Sequence, residues 1–279
     1  MGEMASAALL AELETWPKPG LVSHVDRGSH DDMDYATFRR SIAALRPFYV
    51  RLAAAGAAGA DMERLRQIGL EAEQAMLAAT GGVNTHRGAI FGIGLLCAAA
   101  GAALAEASPT ADVLAGGDPA RLTGARLAEI VSRRWGKAIL CGPIPLHSHG
   151  SDVLRRFGAR GARAEAAVGF PHVRRIALPA LRQGRLLAGE EGAARVQAFF
   201  CLLAVVEDTN LLHRGGVAGL QDARAAAKRF LAAGGVRQAD WQSHAVAIHH
   251  AFVARRLSPG GCADLLAAAI FLDLVERES

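Results

Sequence analysis

From Tyr35 onward, the apolar residues Tyr35, Phe38, Ile42, Leu45, Tyr49 and Leu52 recur at spacings of three and four. That spacing draws one apolar stripe down a long helix. Ser29 with Asp32 three positions later has the form of a capping box, which predicts a helix start near His30 or Asp31. The same period predicts further helices near 4–15, 61–79, 88–105, 122–134, 150–158, 190–208, 218–232, 239–256 and 260–276. The last of these follows Ser258, Pro259 and two glycines, a strong break. No alternating run longer than about four residues marks a strand. The pattern therefore predicts an all-α protein, one domain over residues 1–279, with about ten helices around the Gly/Ala-rich stretch from Gly88 to Ala105.

That stretch is long enough to cross a bilayer, but its small residues and the lack of a second comparable span predict a buried helix and no membrane. The composition is 51% hydrophobic and 21% charged, which excludes a disordered chain. Aromatics at 5% and abundant alanine favour helix over strand. The net charge of +4 is carried mostly by scattered arginines, with no basic stripe, so no nucleic-acid partner is expected. Scattered arginines beside glycines suit a small anionic ligand instead. Cys97, Cys141, Cys201 and Cys262 form no C-x-x-C pair, which argues against a disulfide framework or a zinc site and for a reducing cytoplasm. His244, His249 and His250 lack an accompanying metal-ligand pattern. The first residues carry acids within their apolar stretch and no basic n-region, unlike a signal peptide.

Binding chemistry is expected in four irregular connections rich in Gly, Pro and polar residues, "TWPKPGLVSHVDRGSHDDMD", "TGGVNTHRG", "GARAEAAVGFPHV" and "EDTNLLHRGG". In the first, two prolines stiffen the chain, Gly20 permits a close backbone approach, and Lys18 is expected to stand out toward a phosphate. Asp31 and Asp34, with Asp32 between them, exceed what capping requires and suit a hard cation such as Mg²⁺. In the second, Gly81-Gly82 and the polar tetrad Asn84, Thr85, His86 and Arg87 open an apolar run. Capping by Asn84 or Thr85, the free N–H groups of a first turn and Arg87 together make an anion site. The P-loop spacing is absent. Arg163 and Glu165 lie close together in the third connection, where an ordinary surface ion pair is the plain alternative. In the fourth, Glu207 and Asp208 follow an apolar run; at a helix C-terminus they would need a cation or Arg214 to offset them.

Taken in order, "PKPGLV", "GSHDDMDYATFRRS", "GVNTHRGAIFGIGLL", "GARAEAAVGFP", "EDTNLLHRGG" and "SPGGCADLLAA" resemble the triphosphoribosyl-dephospho-CoA synthase family from about residue 5 to 275. The wording "TWPKPGLVSHVDRGSH" is more similar to the malonate decarboxylase branch than to the citrate lyase branch. Ala164 departs from the glycine of many members, which matters only if the backbone there needs positive φ. The resemblance implies an all-helical pentosyltransferase that joins the 5-triphosphoribosyl part of ATP to the 2′-hydroxyl of 3′-dephospho-CoA and releases adenine. A separate transferase then attaches the product to an acyl carrier subunit.

With that chemistry, Lys18, Arg87 and Arg214 become candidates for phosphate charge, with Gly20, Thr85 and Arg163 also at the substrate. Asp31, Asp34 and Asp208 become candidates for Mg²⁺. Glu165 or Asp208 would act as base or electrostatic stabiliser, and Asn84, His86 and Asn210 would orient ribose or base. Two alternatives remain open on residue types alone: a Mg²⁺-dependent ADP-ribosyl or nucleotide hydrolase, and a non-catalytic module that senses ATP or a CoA derivative.

Overall fold

A computed structural model describes residues 1–107, 121–143, 149–159 and 161–279. Among them every regular element is helical. In chain order these are α1 (Gly2–Leu13), α2 (Tyr35–Ala57), α3 (Met62–Thr80), α4 (Arg87–Glu106), α5 (Gly124–Cys141), α6 (His149–Phe157) and α7 (Gly161–Ala167). A π-helical turn (Val173–Ala177) runs directly into α8 (Leu178–Ala188). Then come α9 (Glu191–Leu203), α10 (Thr209–Ala232), a 3₁₀ turn (Gly235–Arg237), α11 (Trp241–Ala254) and α12 (Gly260–Glu278).

The predicted stripe of α2 is inward: Ile42, Leu45, Tyr49 and Leu52 are buried. Its start lies later than the Ser29–Asp32 spacing suggests, because Asp34 is the cap and accepts from Thr37 N at 2.9 Å. Ser29 instead donates to Leu257 O at 2.6 Å, a tertiary tie that no local pattern announces. Asp61 caps α3 through Arg64 N, and Thr123 caps α5 through Arg126 N. Gly81 and Gly189 close α3 and α8 in the left-handed conformation.

At the centre stands α4, whose residues from Leu95 to Ala103 are all buried. Glycine sets how closely its neighbours approach. A Cβ on Gly56 of α2 would overlap Ala98 O, and one on Gly101 of α4 would overlap Ala53 O. Backbone therefore lies on backbone along this pair, and the contact tolerates no side chain. α4 is the one described helix apolar and long enough to span a bilayer, and 72% of its apolar span is buried within the fold. It serves here as a core helix. Around it pack α1, α2, α3, α5, α7 and α12, while α8, α9 and α10 complete the far side through α12.

Four elements depart from the pattern. α7 and α8 were not expected as helices, and α9 ends at Leu203 rather than near 208. α10 begins at Thr209, nine residues ahead of the expected 218, and carries a break at Gly216 (φ 61°, ψ −162°). The break interrupts the period, so only the second segment reads as helix in sequence.

Candidate active site

The first turns of α4, α10 and α12 meet. Asp208, the cap of α10, accepts from Asn210 N at 2.8 Å and Leu211 N at 3.1 Å through Oδ1. Its Oδ2 accepts from Cys262 N in the first turn of α12 at 2.8 Å. Asp208 therefore sits at the favourable end of a helix, not the unfavourable one its position after an apolar run suggests. The α9 end is covered instead by Arg224, which donates to Val205 O and Val206 O. On the other side, Asp264 of α12 accepts from Ala89 N at the start of α4. Its carboxyl fills the space a Cβ of Gly88 would take. A Cβ at Gly260 would lie 2.9 Å from Asn210 Nδ2, and one at Gly261 3.0 Å from Asp208 Oδ2.

Burial raises the pKa of Asp208 despite its N–H partners. Asp264 is pushed well above the usual carboxylate range, by burial first and then by the charges of Glu12 and Asp208. Asp264 keeps intermediate exposure where Asp208 is closed off.

Beneath this junction lies a closed polar layer. Lys18 is 1% exposed and ion-paired with Glu12 of α1, so it does not project to solvent as the stiff Pro17–Pro19 segment suggests. Burial lowers the Lys18 pKa and raises that of Glu12. Gly20 has φ +73°, and its close approach is to Leu257 O rather than to a ligand. His249 Nδ1 lies 3.2 Å from both Gly20 N and Lys18 O, and its Nε2 lies 3.1 Å from Asp26.

The polar tetrad divides. Asn84 Oδ1 accepts from Arg87 N at 3.2 Å, a cap on α4. Arg87, partly exposed, donates its Nε to Glu73 at 2.8 Å. Thr85 Oγ1 donates to Ser41 Oγ at 2.8 Å, which frees the Ser41 proton for His86 Nδ1 at 2.7 Å. His86 is 3% exposed, and its Nε2 has no partner among the described residues. Burial, with the Lys18 charge nearby, lowers its pKa to about 3. It is thus neutral at any ordinary pH and lies under the junction, not in its mouth.

Arg163 donates to Ile139 O, Pro143 O and Gly142 O and closes the end of α5. It makes no pair with Glu165. Glu165 turns to His172, accepting from its backbone N through Oε1 and from Nδ1 through Oε2, each at 2.7 Å. Ala164 lies within α7, outside the positive-φ positions, so its departure from glycine costs nothing there. Arg214 donates to Ser29 O and Arg256 O at 3.3 Å and contacts His30 Nδ1 at 3.2 Å.

The three expected metal carboxylates do not come together. Asp31, 85% exposed, pairs with Arg256 at 3.3 Å; Asp34 caps α2; both Asp208 oxygens are held by backbone N–H groups. Among the described residues no group of three metal-ligating side chains forms. Asp208 does not fit a metal ligand here, because a cation would have to displace its helix-capping bonds.

Three residues went unnoticed in sequence: Glu12, His172 and Asp264. Glu12 is an acid inside the apolar run of α1, which is itself a signal of a buried partner. His172 and Asp264 stand inside "GFPHV" and "CADLLAA", hidden among apolar neighbours.

The family model described as ATP:dephospho-CoA triphosphoribosyl transferase matches residues 1–279. A probable 2-(5''-triphosphoribosyl)-3'-dephosphocoenzyme-A synthase of Acinetobacter calcoaceticus is 36% identical, over 99% of this chain and 90% of its own. Proteins of the same description from Azotobacter vinelandii (38%; 98% and 90%) and Pseudomonas fluorescens strain Pf0-1 (39%; 100% and 92%) are similar to it as well. No solved structure matches the chain. With a family model matched over residues 1–279 and relatives 36–39% identical over nearly their full length, the chain belongs to the ATP:dephospho-CoA triphosphoribosyl transferase family.

Proposed function

We propose that the family's transfer takes place at the junction of α4, α10 and α12, and that the product serves a malonate decarboxylase. The observation that carries the location is the convergence of three helix N-termini, each with glycine or a capping acid at its first turn. The aligned dipoles of these three helix starts favour the phosphates of ATP and 3′-dephospho-CoA. Arg87 and Arg214, at the starts of α4 and α10, add charge at the rim. Asn84, Thr85 and Asn210 border the same turns. Lys18 and His86 act from below, as a fixed charge and a neutral support.

Departure of adenine leaves positive charge at the ribose C1′, the state that nearby carboxylates stabilise. Asp264 is suited to that work by position: its carboxyl lies against Gly88 at the start of α4, keeps intermediate exposure, and as a carboxylate would accept the proton of the acceptor hydroxyl. Mg²⁺ would arrive on the triphosphate and neutralise part of its charge. Asp31 and Asp34 are the accessible carboxylates for it, needing only one or two protein ligands beside phosphate oxygens. A cytoplasmic setting supplies both substrates. The product would pass to a separate holo-transferase acting on the acyl carrier subunit.

Incubation with ATP, Mg²⁺ and dephospho-CoA, following adenine by chromatography, tests the reading. Adenine release that depends on dephospho-CoA is expected; release to water alone would make the protein a hydrolase. In the same assay Asp31→Asn with Asp34→Asn should raise the Mg²⁺ requirement at least tenfold, while asparagine still caps α2. An unchanged Mg²⁺ dependence would remove those two residues from the metal.

A further inference from the structure

His172 is set by an unusual amount of local structure. Gly169 (φ 78°) and Phe170 (φ 52°) turn the chain in succession through the left-handed region, which a bulky residue such as phenylalanine rarely adopts. Phe170 is held there by burial and by a bond from its N to Glu165 O at 2.8 Å. Arg174 Nε secures Gly169 O at 2.8 Å. Glu165 then grips His172 twice, at backbone N and at ring Nδ1. Immediately after His172 the chain winds as a π-turn, packed against α9 and α12. Strain and π-turns of this kind persist where the surroundings over-determine them, and they gather at functional sites.

The product of this local order is one imidazole. Its Nδ1 is committed to a buried carboxylate, its side chain is 37% exposed, and its Nε2 makes no hydrogen bond among the described residues. The segment that holds the ring borders the junction. Arg224, whose charge opposes protonation of His172, donates to Val205 O and Val206 O just ahead of the α10 cap. Gly161, at the start of the helix bearing Glu165, abuts Thr209 of α10.

We propose that His172, positioned by Glu165, is the general acid that protonates the departing adenine. The inference rests on the transferase reading above. The electron pair of the C1′–N9 bond leaves with adenine, and a ring nitrogen of adenine takes the proton of His172 Nε2. The acceptor 2′-oxygen forms the new bond to C1′, and its proton passes to Asp264 and on to solvent, from which Nε2 is recharged. One proton is lost by the hydroxyl and one gained by adenine. Adenine is a poor leaving group as an anion, so the acid belongs on this side of the reaction. The charged groups facing the ring are Glu165 from α7 and Arg224 from α10. The hydrogen bond from Glu165 raises the His172 pKa above its ordinary value, against the opposing effects of burial and Arg224. The imidazolium is thereby available near neutral pH.

Single-turnover adenine release, measured against pH for the wild type, His172→Asn and Glu165→Gln, tests this. Asparagine reproduces the Nδ1–H bond to Glu165 but has no acid at the Nε2 position. His172→Asn should lower the rate by about 10²–10⁴-fold, leave both KM values within about threefold, and abolish the decline at high pH. Glu165→Gln should move that decline to lower pH. A His172→Asn rate within about threefold of wild type, or an alkaline limb unmoved in Glu165→Gln, would overturn the assignment. Wild-type release without dephospho-CoA would instead fault the transferase reading, so the two failures are distinct.

Discussion

At the scale of single residues, what a charged side chain does depends on what faces it. Lys18 illustrates this: its sequence setting points outward, yet Glu12 draws it into the interior. Removing one member of such a pair leaves the other buried and uncompensated, which costs about 3–5 kcal/mol. Lys18→Met should therefore lower the urea unfolding free energy by about that amount, and Glu12→Gln with Lys18→Met should recover most of it. Equal losses in the single and double variants would mean that the pair is not coupled. Asp208 belongs to the same lesson. The acid was visible, but its role as a shared cap for α10 and α12 depends on Cys262, 54 residues away. Sequence distance hides such partners because a side chain carries no record of the chain it will meet. The converse holds for Asn84, whose cap on α4 is local and readable from type and spacing.

At the scale of elements, helices were legible where an apolar stripe ran unbroken and obscure where it was short or interrupted. α2 and α12 show the first case; α7, α8 and the kinked start of α10 the second. A stripe records which face is buried, but not how close the neighbour comes, and glycine decides that. Gly101→Ala should cost more than 2 kcal/mol, about the scale at which overpacking forces backbone shifts, because its Cβ meets Ala53 O. Gly69→Ala in α3 meets nothing within 4 Å and should stabilise by about 0.5–1 kcal/mol. Thermal unfolding of both variants checks the contrast; similar shifts would mean that the α2–α4 contact yields easily.

For the whole molecule, the buried polar layer couples stability to pH. His86 keeps a neutral ring down to about pH 3, while the same ring in the unfolded chain takes a proton below about 6.5. The unfolded state thus binds more protons across that window, and this contribution to stability is lost as pH falls through it. His86→Gln should flatten the urea midpoint between pH 6.5 and the onset of acid unfolding, relative to wild type. A parallel pair of curves would contradict the burial of a neutral ring.

Hydrophobic period, composition and short polar motifs determined by themselves that the chain is helical, that the Gly88–Ala105 run lies at its centre, and where its irregular connections fall. Those properties arise from residues within a few turns of one another, so linear spacing encodes them. Tertiary structure alone decided that Lys18 and His86 are buried, that Arg163 closes a helix, that Asp264 meets Gly88 across two helix starts, and that Glu165 orients His172. Each of these depends on which helix ends approach in space. That approach is set by the packing of whole faces and by missing Cβ atoms, neither of which has a signature along the chain.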